Sequence, residues 1–255
     1  MSDATFDGKV VLVTGGSRGI GRAVCRRFAD AGARVVVHYR ADREAADTTL
    51  DSLAGDGHLA LAADLADPES CARLVAQTVG AAGRLDVLVN NAGIFEEHRI
   101  AEVDYADWQA AWRRTIATNL LGPANLIHQA VPHLEAAGGG RIVNVSSRGA
   151  FRGEPDHPAY GASKAGLNSL GQSLAQALGP RGIYVTTVAP GFVATDMAAS
   201  VLDGPDGDAI RSQSPLRRAA DPDEIARLVV FLATPGTEYA TGAIVDANGA
   251  SYLRT

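Results

Sequence analysis

The feature that most constrains this chain is a glycine-rich turn that joins a short apolar run to an amphipathic one. Lys9–Val13 reads KVVLV, which is typical of a buried strand, and Gly19–Ala31 has the pattern of a helix. The turn, Thr14–Gly21, reads TGGSRGIG. Glycines let an anion approach the backbone, and the free N–H groups of a helix N-terminus attract it. The turn therefore predicts a phosphate site, although a purely structural turn stays open.

The spacing of these glycines narrows the kind of site. It is G-x-x-x-G-x-G, whereas the usual dinucleotide fingerprint is G-x-G-x-x-G. No Gly-Lys-Ser/Thr follows, as it would in a P-loop. A nucleoside triphosphatase is therefore disfavoured.

The rest of the chain alternates short apolar runs with longer amphipathic ones. We expect strands at Lys9–Val13, Arg34–His38, His58–Ala62, Leu85–Val89, Arg141–Val145, Tyr184–Val188 and Gly242–Asp246. We expect helices over Gly19–Ala31, Asp42–Leu53, Pro68–Ala81, Tyr105–Val131, Pro158–Leu178 and Asp221–Ala233. This alternation predicts an α/β fold, a doubly wound (Rossmann), mostly parallel sheet of about seven strands with helices on both faces. We expect one domain over residues 1–255.

One segment, Phe192–Pro215, breaks the alternation and is long for a connection. At the edge of such a sheet, a long connection is a candidate substrate-binding loop or lid. A plain surface insertion is the alternative.

Composition limits the function classes. Hydrophobic residues make up 46% of the chain, charged residues 20%, and the net charge is -6, which indicates a soluble protein with a large core. No run of Lys or Arg exceeds two, so nucleic acid is an improbable partner. Cys25 and Cys71 form no C-x-x-C pair and are interpreted as buried thiols. With no signal peptide and no membrane-length apolar run, we expect a cytoplasmic protein without a membrane partner.

The end of the second predicted strand bears on the cofactor. It reads His38-Tyr39-Arg40, with no acidic residue before Asp42 to bind a free ribose 2′-hydroxyl. Arg40 and Arg18 instead supply two cations, and arginine suits a 2′-phosphate. The pattern favours NADP(H). The alternative is that Arg40 is only a solvated residue before the next helix.

Four residues form a candidate catalytic group. Tyr160 and Lys164 are spaced i, i+4 at the start of a predicted helix, so they share a face. An ammonium beside a phenol is expected to lower its pKa and to suit it for proton transfer. Ser147 follows the fifth strand, where its hydroxyl can hold a substrate oxygen. Asn119 lies within a predicted helix, where it either fixes a water beside Lys164 or is a satisfied core amide.

Other chemistries are less well supported. No G-x-S-x-G elbow accompanies the six histidines, so a Ser-His-Asp hydrolase is disfavoured. His157 is interpreted as a surface residue. No His, Cys and Asp cluster has metal-ligand spacing, so no metal is expected.

Together these motifs resemble the short-chain dehydrogenase/reductase family, in its single-domain branch. The TGGSRGIG loop resembles the cofactor loop of the family, Asn90–Gly93 its N-N-A-G run, and Tyr160–Lys164 its Y-x-x-x-K motif. The resemblance implies that Asn119, Ser147, Tyr160 and Lys164 are catalytic. It also implies a cofactor site made of Gly15, Ser17, Arg18, Gly19, Ile20, Gly21, Tyr39, Arg40, Asp64, Leu65, Asn91, Ala92, Gly93, Tyr160, Lys164, Pro190, Gly191, Val193 and Thr195.

The resemblance also implies a mechanism and an assembly. Ser147 would orient the carbonyl, Tyr160 would transfer the proton, and Lys164 would bind the nicotinamide ribose. Asn119 would hold a water beside Lys164. Family members are typically homotetramers or dimers, which assemble through the helices that here contain Asn119 and Tyr160.

Within the family the chain is most similar to 3-oxoacyl-(acyl-carrier-protein) reductases. Those enzymes dock their carrier through two basic positions. Arg181 fits one of them, but the other falls in Gly138–Gly140, which has no cation. Sugar, steroid and polyketide reductases share the same scaffold, so the substrate class stays open. The pocket is expected between Phe95–Ile100, Gly149–His157 and Phe192–Pro215.

The predicted function is an NADP(H)-dependent oxidoreductase, which transfers hydride between nicotinamide and a small-molecule carbonyl or secondary alcohol. The alternative is a non-catalytic dinucleotide-sensing or scaffold protein on the same fold.

Overall fold

A parallel sheet of seven strands forms the centre of the protein. The computed structural model describes residues 6–254, without the side chains of residues 200 and 201. The strands are β1 Val10–Val13, β2 Arg34–Tyr39, β3 Leu59–Ala62, β4 Val87–Asn90, β5 Gly140–Val145, β6 Ile183–Pro190 and β7 Ile244–Ala247. Their order is β3-β2-β1-β4-β5-β6-β7, and every adjacent pair is parallel. The predicted doubly wound sheet is confirmed.

Ten α-helices of the described residues accompany the sheet. They are α1 Gly19–Asp30, α2 Arg43–Asp51, α3 Pro68–Ala82, α4 Tyr105–Ile116, α5 Gly122–Ala136, α6 Gly149–Arg152, α7 Pro158–Leu178, α8 Asp196–Leu202, α9 Gly207–Ser212 and α10 Pro222–Ala233. Short 3-10 turns span Gly179–Arg181 and Glu238–Ala240. None of the helices in this part of the chain is long and apolar enough to cross a membrane.

Alternate side chains of β1 enter the two halves of the core. Val11 and Val13 pack with α1 and α10 on one face, whereas Val10 and Leu12 pack with α3, α5 and α7 on the other. All four strand residues are buried. A strand that is covered on both sides reads as a continuous apolar run, which is why KVVLV does not alternate with polar residues.

The helix starts that the sequence indicates are built from local signals. Asp67 accepts hydrogen bonds from the N–H groups of Glu69 and Ser70, and Pro68 occupies the first turn of α3. Asp221 and Glu224 form a capping box at the start of α10. Both caps satisfy N–H groups that a helix N-terminus would otherwise leave free.

The structure differs from the sequence prediction in two long segments, and it also contains the short helix α6, Gly149–Arg152, which was not expected. The single helix expected over Tyr105–Val131 is two helices, joined by a π-helical turn at Ala117–Leu121, and it runs on to Ala136. The segment Phe192–Pro215, expected as a loop, contains α8 and α9. Asp196 lies in the first turn of α8, where a carboxylate opposes the positive end of the helix dipole.

The chain changes direction across the sheet between β1 and β4. From β1 it proceeds outward to β2 and β3, and then returns to β4 on the other side of β1. At such a switch point the connections diverge and leave a crevice beyond the carboxyl ends of the strands. The candidate site lies there.

Candidate active site

A cavity of about 560 Å³ opens at the carboxyl ends of the strands. The predicted residues that line it are Gly15, Ser17, Arg18, Gly19, Ile20, Gly21, Tyr39, Arg40, Asp64, Leu65, Asn91, Ala92, Gly93, Ser147, Tyr160, Lys164, Pro190, Gly191, Val193 and Thr195. Asn119 does not line the cavity and is fully buried behind its wall. The fold thus brings together residues from six connections.

The glycine-rich turn is shaped by positions that only glycine fits. Gly15 and Gly19 have positive φ angles of 64° and 51°. A Cβ atom on Gly21 would lie 2.0 Å from the carbonyl oxygen of Gly15. The first helix carries no side-chain cap at Arg18, so its first N–H groups face the cavity mouth without a side-chain acceptor. Free N–H groups, a helix dipole and an open backbone fit a diphosphate.

His38 fixes this turn, a role that sequence reasoning missed. Its Nδ1 accepts a hydrogen bond from the N–H of Gly15 at 3.0 Å, and its Nε2 lies 3.1 Å from the carbonyl oxygen of Ala63. Burial lowers the pKa of His38 to about 4, so the ring is neutral at pH 7. A neutral ring can accept at one nitrogen while it donates at the other.

Two cations flank the end of β2. The Arg18 guanidinium lies 3.1 Å from Asp42 Oδ2, and Asp42 Oδ1 also accepts a hydrogen bond from the N–H of Ala45 at the start of α2. Arg40 is exposed and has no ion pair with any described residue. Asp42 is therefore engaged as a helix cap, while Arg40 is free to meet an anionic group.

The N-N-A-G run, Asn90–Gly93, forms hydrogen bonds with the start of the glycine-rich turn. Asn91 Nδ2 donates to the carbonyl oxygens of Thr14 and Gly15, at 2.9 and 3.2 Å. The Thr14 hydroxyl accepts from the N–H groups of Asn91 and Ala92. The ends of β1 and β4 are thereby held as one unit.

Ser147, Tyr160 and Lys164 meet on the opposite wall. Ser147 follows β5, its hydroxyl acts to lower the pKa of Tyr160, and its Oγ accepts the N–H of Gly149 at 3.0 Å. Lys164 is buried, donates from Nζ to the carbonyl oxygen of Val145 at 2.8 Å, and lies 5.7 Å from the centre of the Tyr160 ring. The i, i+4 spacing places both side chains on one face of α7, as predicted.

The pKa of the phenol differs from the expected direction. Burial raises the pKa of Tyr160 to about 12, the Ser147 hydrogen bond lowers it, and the charge of Glu154 raises it. Burial lowers the pKa of Lys164 to about 8. The prediction that Lys164 lowers the Tyr160 pKa is wrong for this structure, because desolvation dominates. The phenol therefore keeps its proton at pH 7 and can donate it.

Asn119 lies in the π-helical turn and supports the catalytic wall from behind. Its Oδ1 accepts the N–H of Ile94 at 2.8 Å, and its Nδ2 donates to the Ile94 carbonyl oxygen and to Ser163 Oγ. A Cβ atom on Gly93 would lie 3.4 Å from both Asn119 Oδ1 and Lys164 Nζ. Of the two alternatives, the satisfied amide is confirmed. The water beside Lys164 stays a prediction.

An aromatic group holds the tyrosine ring. Phe95 contacts Tyr160 edge to face, with 4.8 Å between ring centres, and stacks on His157 at 3.6 Å. The prediction that His157 is a surface residue is wrong, because the ring is half-buried and burial lowers its pKa. The stacking partner is distant in sequence, so the local loop composition could not reveal it.

A buried arginine ties the Phe192–Pro215 segment to the cavity wall. Arg148 Nη2 donates to Gln213 Oε1 at 2.6 Å, and its guanidinium lies 4.9 Å from the centre of the Phe192 ring. Arg152 donates to the same Gln213 oxygen. Burial lowers the pKa of Arg148. No local sequence signal indicates Gln213, since its partners come from another connection.

Comparison with known proteins places the chain among dinucleotide-dependent enzymes. A family model described as enoyl-(acyl carrier protein) reductase matches residues 15–249. The chain is 36% identical to a 3-oxoacyl-(acyl-carrier-protein) reductase of Staphylococcus aureus, over 96% of this chain and 98% of that protein. It is also 36% identical to D-threitol dehydrogenase of Mycolicibacterium smegmatis, over 97% and 94%.

Solved structures are similar over the same length. A short chain dehydrogenase from Burkholderia cenocepacia in complex with NADP has a TM-score of 0.85 and 36% identity, and the match covers 96% of this chain and 98% of that one. A dehydrogenase/reductase from Sinorhizobium meliloti has a TM-score of 0.89 and 36% identity, with 98% of each chain covered.

Proposed function

The chain belongs to the short-chain dehydrogenase/reductase family, and from this we infer that it is an NADP(H)-dependent oxidoreductase. It interconverts a carbonyl group and a secondary alcohol. The observation that carries this conclusion is that Ser147, Tyr160 and Lys164 share one cavity with the glycine-rich turn.

The described residues fit the cofactor at both of its ends. The turn at Gly15–Gly21 offers free N–H groups and a close backbone approach for the diphosphate. Arg40 supplies positive charge for a 2′-phosphate, while Arg18, which lines the same cavity, is paired with Asp42. Lys164 would bind the nicotinamide ribose. When bound, the nicotinamide exchanges hydride with the substrate carbon.

The residues of the chain supply the proton and hold the oxygen. The Ser147 hydroxyl orients the carbonyl oxygen, and the neutral Tyr160 phenol gives its proton to that oxygen during reduction. The reverse reaction requires the Tyr160 phenolate to accept the proton of the alcohol. Asn119 acts as a positioning residue, because it fixes the Ile94 backbone and Ser163 behind Lys164.

The carrier-protein branch of the family is less well supported than a small-molecule ketone. The Arg181 guanidinium is paired with the Glu135 carboxylate in the same surface region, so its charge is already balanced. Gly138–Gly140 adds no cation beside it. A small ketone or sugar needs neither position.

The decisive experiment is Tyr160→Phe, with NADPH oxidation measured against ketones, acyl thioesters and sugars. We expect a loss of kcat of at least about a hundredfold, because a positioned proton donor contributes roughly that much. NADPH affinity should be retained. Tyr184→Phe is the matched control, since Tyr184 lies on β6 and packs on Arg141. If Tyr160→Phe turned over as fast as the parent, the alternative of a non-catalytic sensor or scaffold would gain support.

Three further features complete the proposal. Phe192–Pro215 acts as the substrate lid, held by the Arg148–Gln213 hydrogen bond.

The protein assembles as a homotetramer or dimer through the helices that contain Asn119 and Tyr160. Light scattering tests this assembly. A cytoplasmic location is supported by Cys25 and Cys71, which are buried and unpaired, and cell fractionation tests it.

A further inference from the structure

Glu154 places a carboxylate in the cavity beside the catalytic tyrosine. It lies in the connection between α6 and α7, directly after Gly153, whose φ is 78°. A Cβ atom on Gly149 would lie 2.7 Å from Glu154 Oε1, so the glycine leaves the space that the carboxyl group occupies. Glu154 lines the same cavity as Ser147 and Tyr160.

This carboxylate has no hydrogen-bond donor or ion pair among the residues that the structure describes. The two nearby cations, Arg148 and Arg152, direct their donors to Gln213 instead. Burial raises the pKa of Glu154, and this is the largest effect. The two guanidinium charges lie beyond salt-bridge distance and lower that pKa by less, so the net shift is upward. The half-buried carboxylate therefore depends on water for its hydrogen bonds, and a ligand that supplies a donor can take the place of that water.

The charges around Glu154 select the kind of donor. The charges that act on Glu154 are the guanidinium groups of Arg148 and Arg152, which lower its pKa, and the Asp156 carboxylate, which raises it. A cationic ligand such as an amine would add a third positive charge beside the two guanidinium groups. An apolar acyl chain would leave the carboxylate without a partner. A neutral hydroxyl group supplies the missing hydrogen and adds no charge.

We propose that Glu154 accepts a hydrogen bond from a substrate hydroxyl close to the reacting carbon, so that the enzyme prefers hydroxyketones and the corresponding diols. The proposal rests on the proposed function and names its substrate class. In reduction, hydride from NADPH forms the new C–H bond and the Tyr160 proton forms the new O–H bond. The products are the diol and NADP⁺, and Glu154 keeps its protonation state throughout.

The test compares hydroxyacetone with acetone, which differ by one hydroxyl group. Because that hydroxyl also activates the neighbouring carbonyl, the decisive quantity is the change in the ratio of the two kcat/KM values on substitution. Glu154→Leu should lower this ratio about tenfold or more, the usual effect of a lost hydrogen bond to a charged group. The loss should fall on the KM for hydroxyacetone, whereas an effect of the lost charge on the Tyr160 pKa acts on both ketones and cancels in the ratio. Glu154→Gln keeps an acceptor oxygen and should fall between.

A matched control is Glu69→Leu, the same substitution at an exposed residue of α3, which should leave the ratio unchanged. An equal fall for both ketones in Glu154→Leu would overturn the proposal. If no carbonyl oxidises NADPH at all, the proposed function fails separately. The role of Glu154 is then tested by ligand-detected NMR on the NADP⁺-saturated protein. The proposal is supported if propylene glycol binds more tightly than isopropanol and this difference is lost in Glu154→Leu. Equal binding of the two alcohols to the parent protein refutes the proposal.

Discussion

Adding one methyl group at Gly21 should both destabilise the protein and weaken cofactor binding. A Cβ atom there would lie 2.0 Å from the Gly15 carbonyl oxygen and 2.6 Å from Asn91 Nδ2. The first contact is with backbone, which cannot rotate away, so the turn itself must move. Overpacking of this kind costs about 3 kcal/mol, partly offset by the roughly 1 kcal/mol by which alanine exceeds glycine in a helix.

The matched control is Gly80→Ala, because Gly80 is an exposed residue of α3 whose Cβ atom would meet nothing within 4 Å. It should be about 1 kcal/mol more stable than the parent. For a chain of this size, 1 kcal/mol shifts Tm by roughly 2–4 °C, so the Tm of Gly80→Ala should be roughly 2–4 °C above that of the parent. In Gly21→Ala it should fall by roughly 4–8 °C, from the net cost of about 2 kcal/mol.

Two measurements decide the matter. Thermal unfolding followed by circular dichroism gives the two Tm changes, and quenching of protein fluorescence gives the Kd for NADPH. Because a shift of Gly15 moves the N–H groups proposed to bind the diphosphate, we expect Gly21→Ala to raise that Kd at least tenfold, or about 1.4 kcal/mol. A Gly21→Ala protein with the Tm and the Kd of the parent would refute the reasoning.

Two other predictions follow from the same end of the cavity. His38 stays neutral in the folded protein down to about pH 4, whereas an unfolded histidine titrates near 6.5, so stability should fall by about 3 kcal/mol as pH drops through that window. The free energy of urea unfolding, measured between pH 7 and 4.5, should fall less in His38→Gln than in the parent protein. An equal fall in both proteins would contradict the assignment. Arg40→Asp should shift the ratio of NADPH to NADH affinity at least tenfold towards NADH; equal affinities in the parent would disprove the role of Arg40.

Sequence reasoning predicted the features that local chemistry determines. The continuous apolar runs predicted the strands, and the helix starts expected at Pro68 and Asp221 agree with the caps that the structure shows at Asp67 and Asp221. Most of the cavity-lining residues were predicted from the family resemblance, and the fold brings them together because residues that follow parallel strands collect at one edge of the sheet. Helical spacing placed Tyr160 and Lys164 on one face, and their catalytic role was inferred from Ser147, Asn119 and the resemblance.

Contacts between distant connections were not predictable in this way. His38 reads as the last apolar position of a strand, yet it fixes the glycine-rich turn 23 residues earlier. Gln213 gains its role only when the fold brings it to Arg148. The Tyr160 pKa was misjudged because the charge of Lys164 was considered without the burial of both groups.

The strand order also has a consequence for how such a protein can evolve. The residues that fit the diphosphate and the 2′-phosphate follow β1 and β2, whereas the lid and the wall with Glu154 follow β5 and β6, across the sheet. Substitutions in the lid and around Glu154 can alter which substrate is accepted while the connections after β1 and β2 are inherited unchanged. Selection for a new substrate therefore acts on only a small part of the chain.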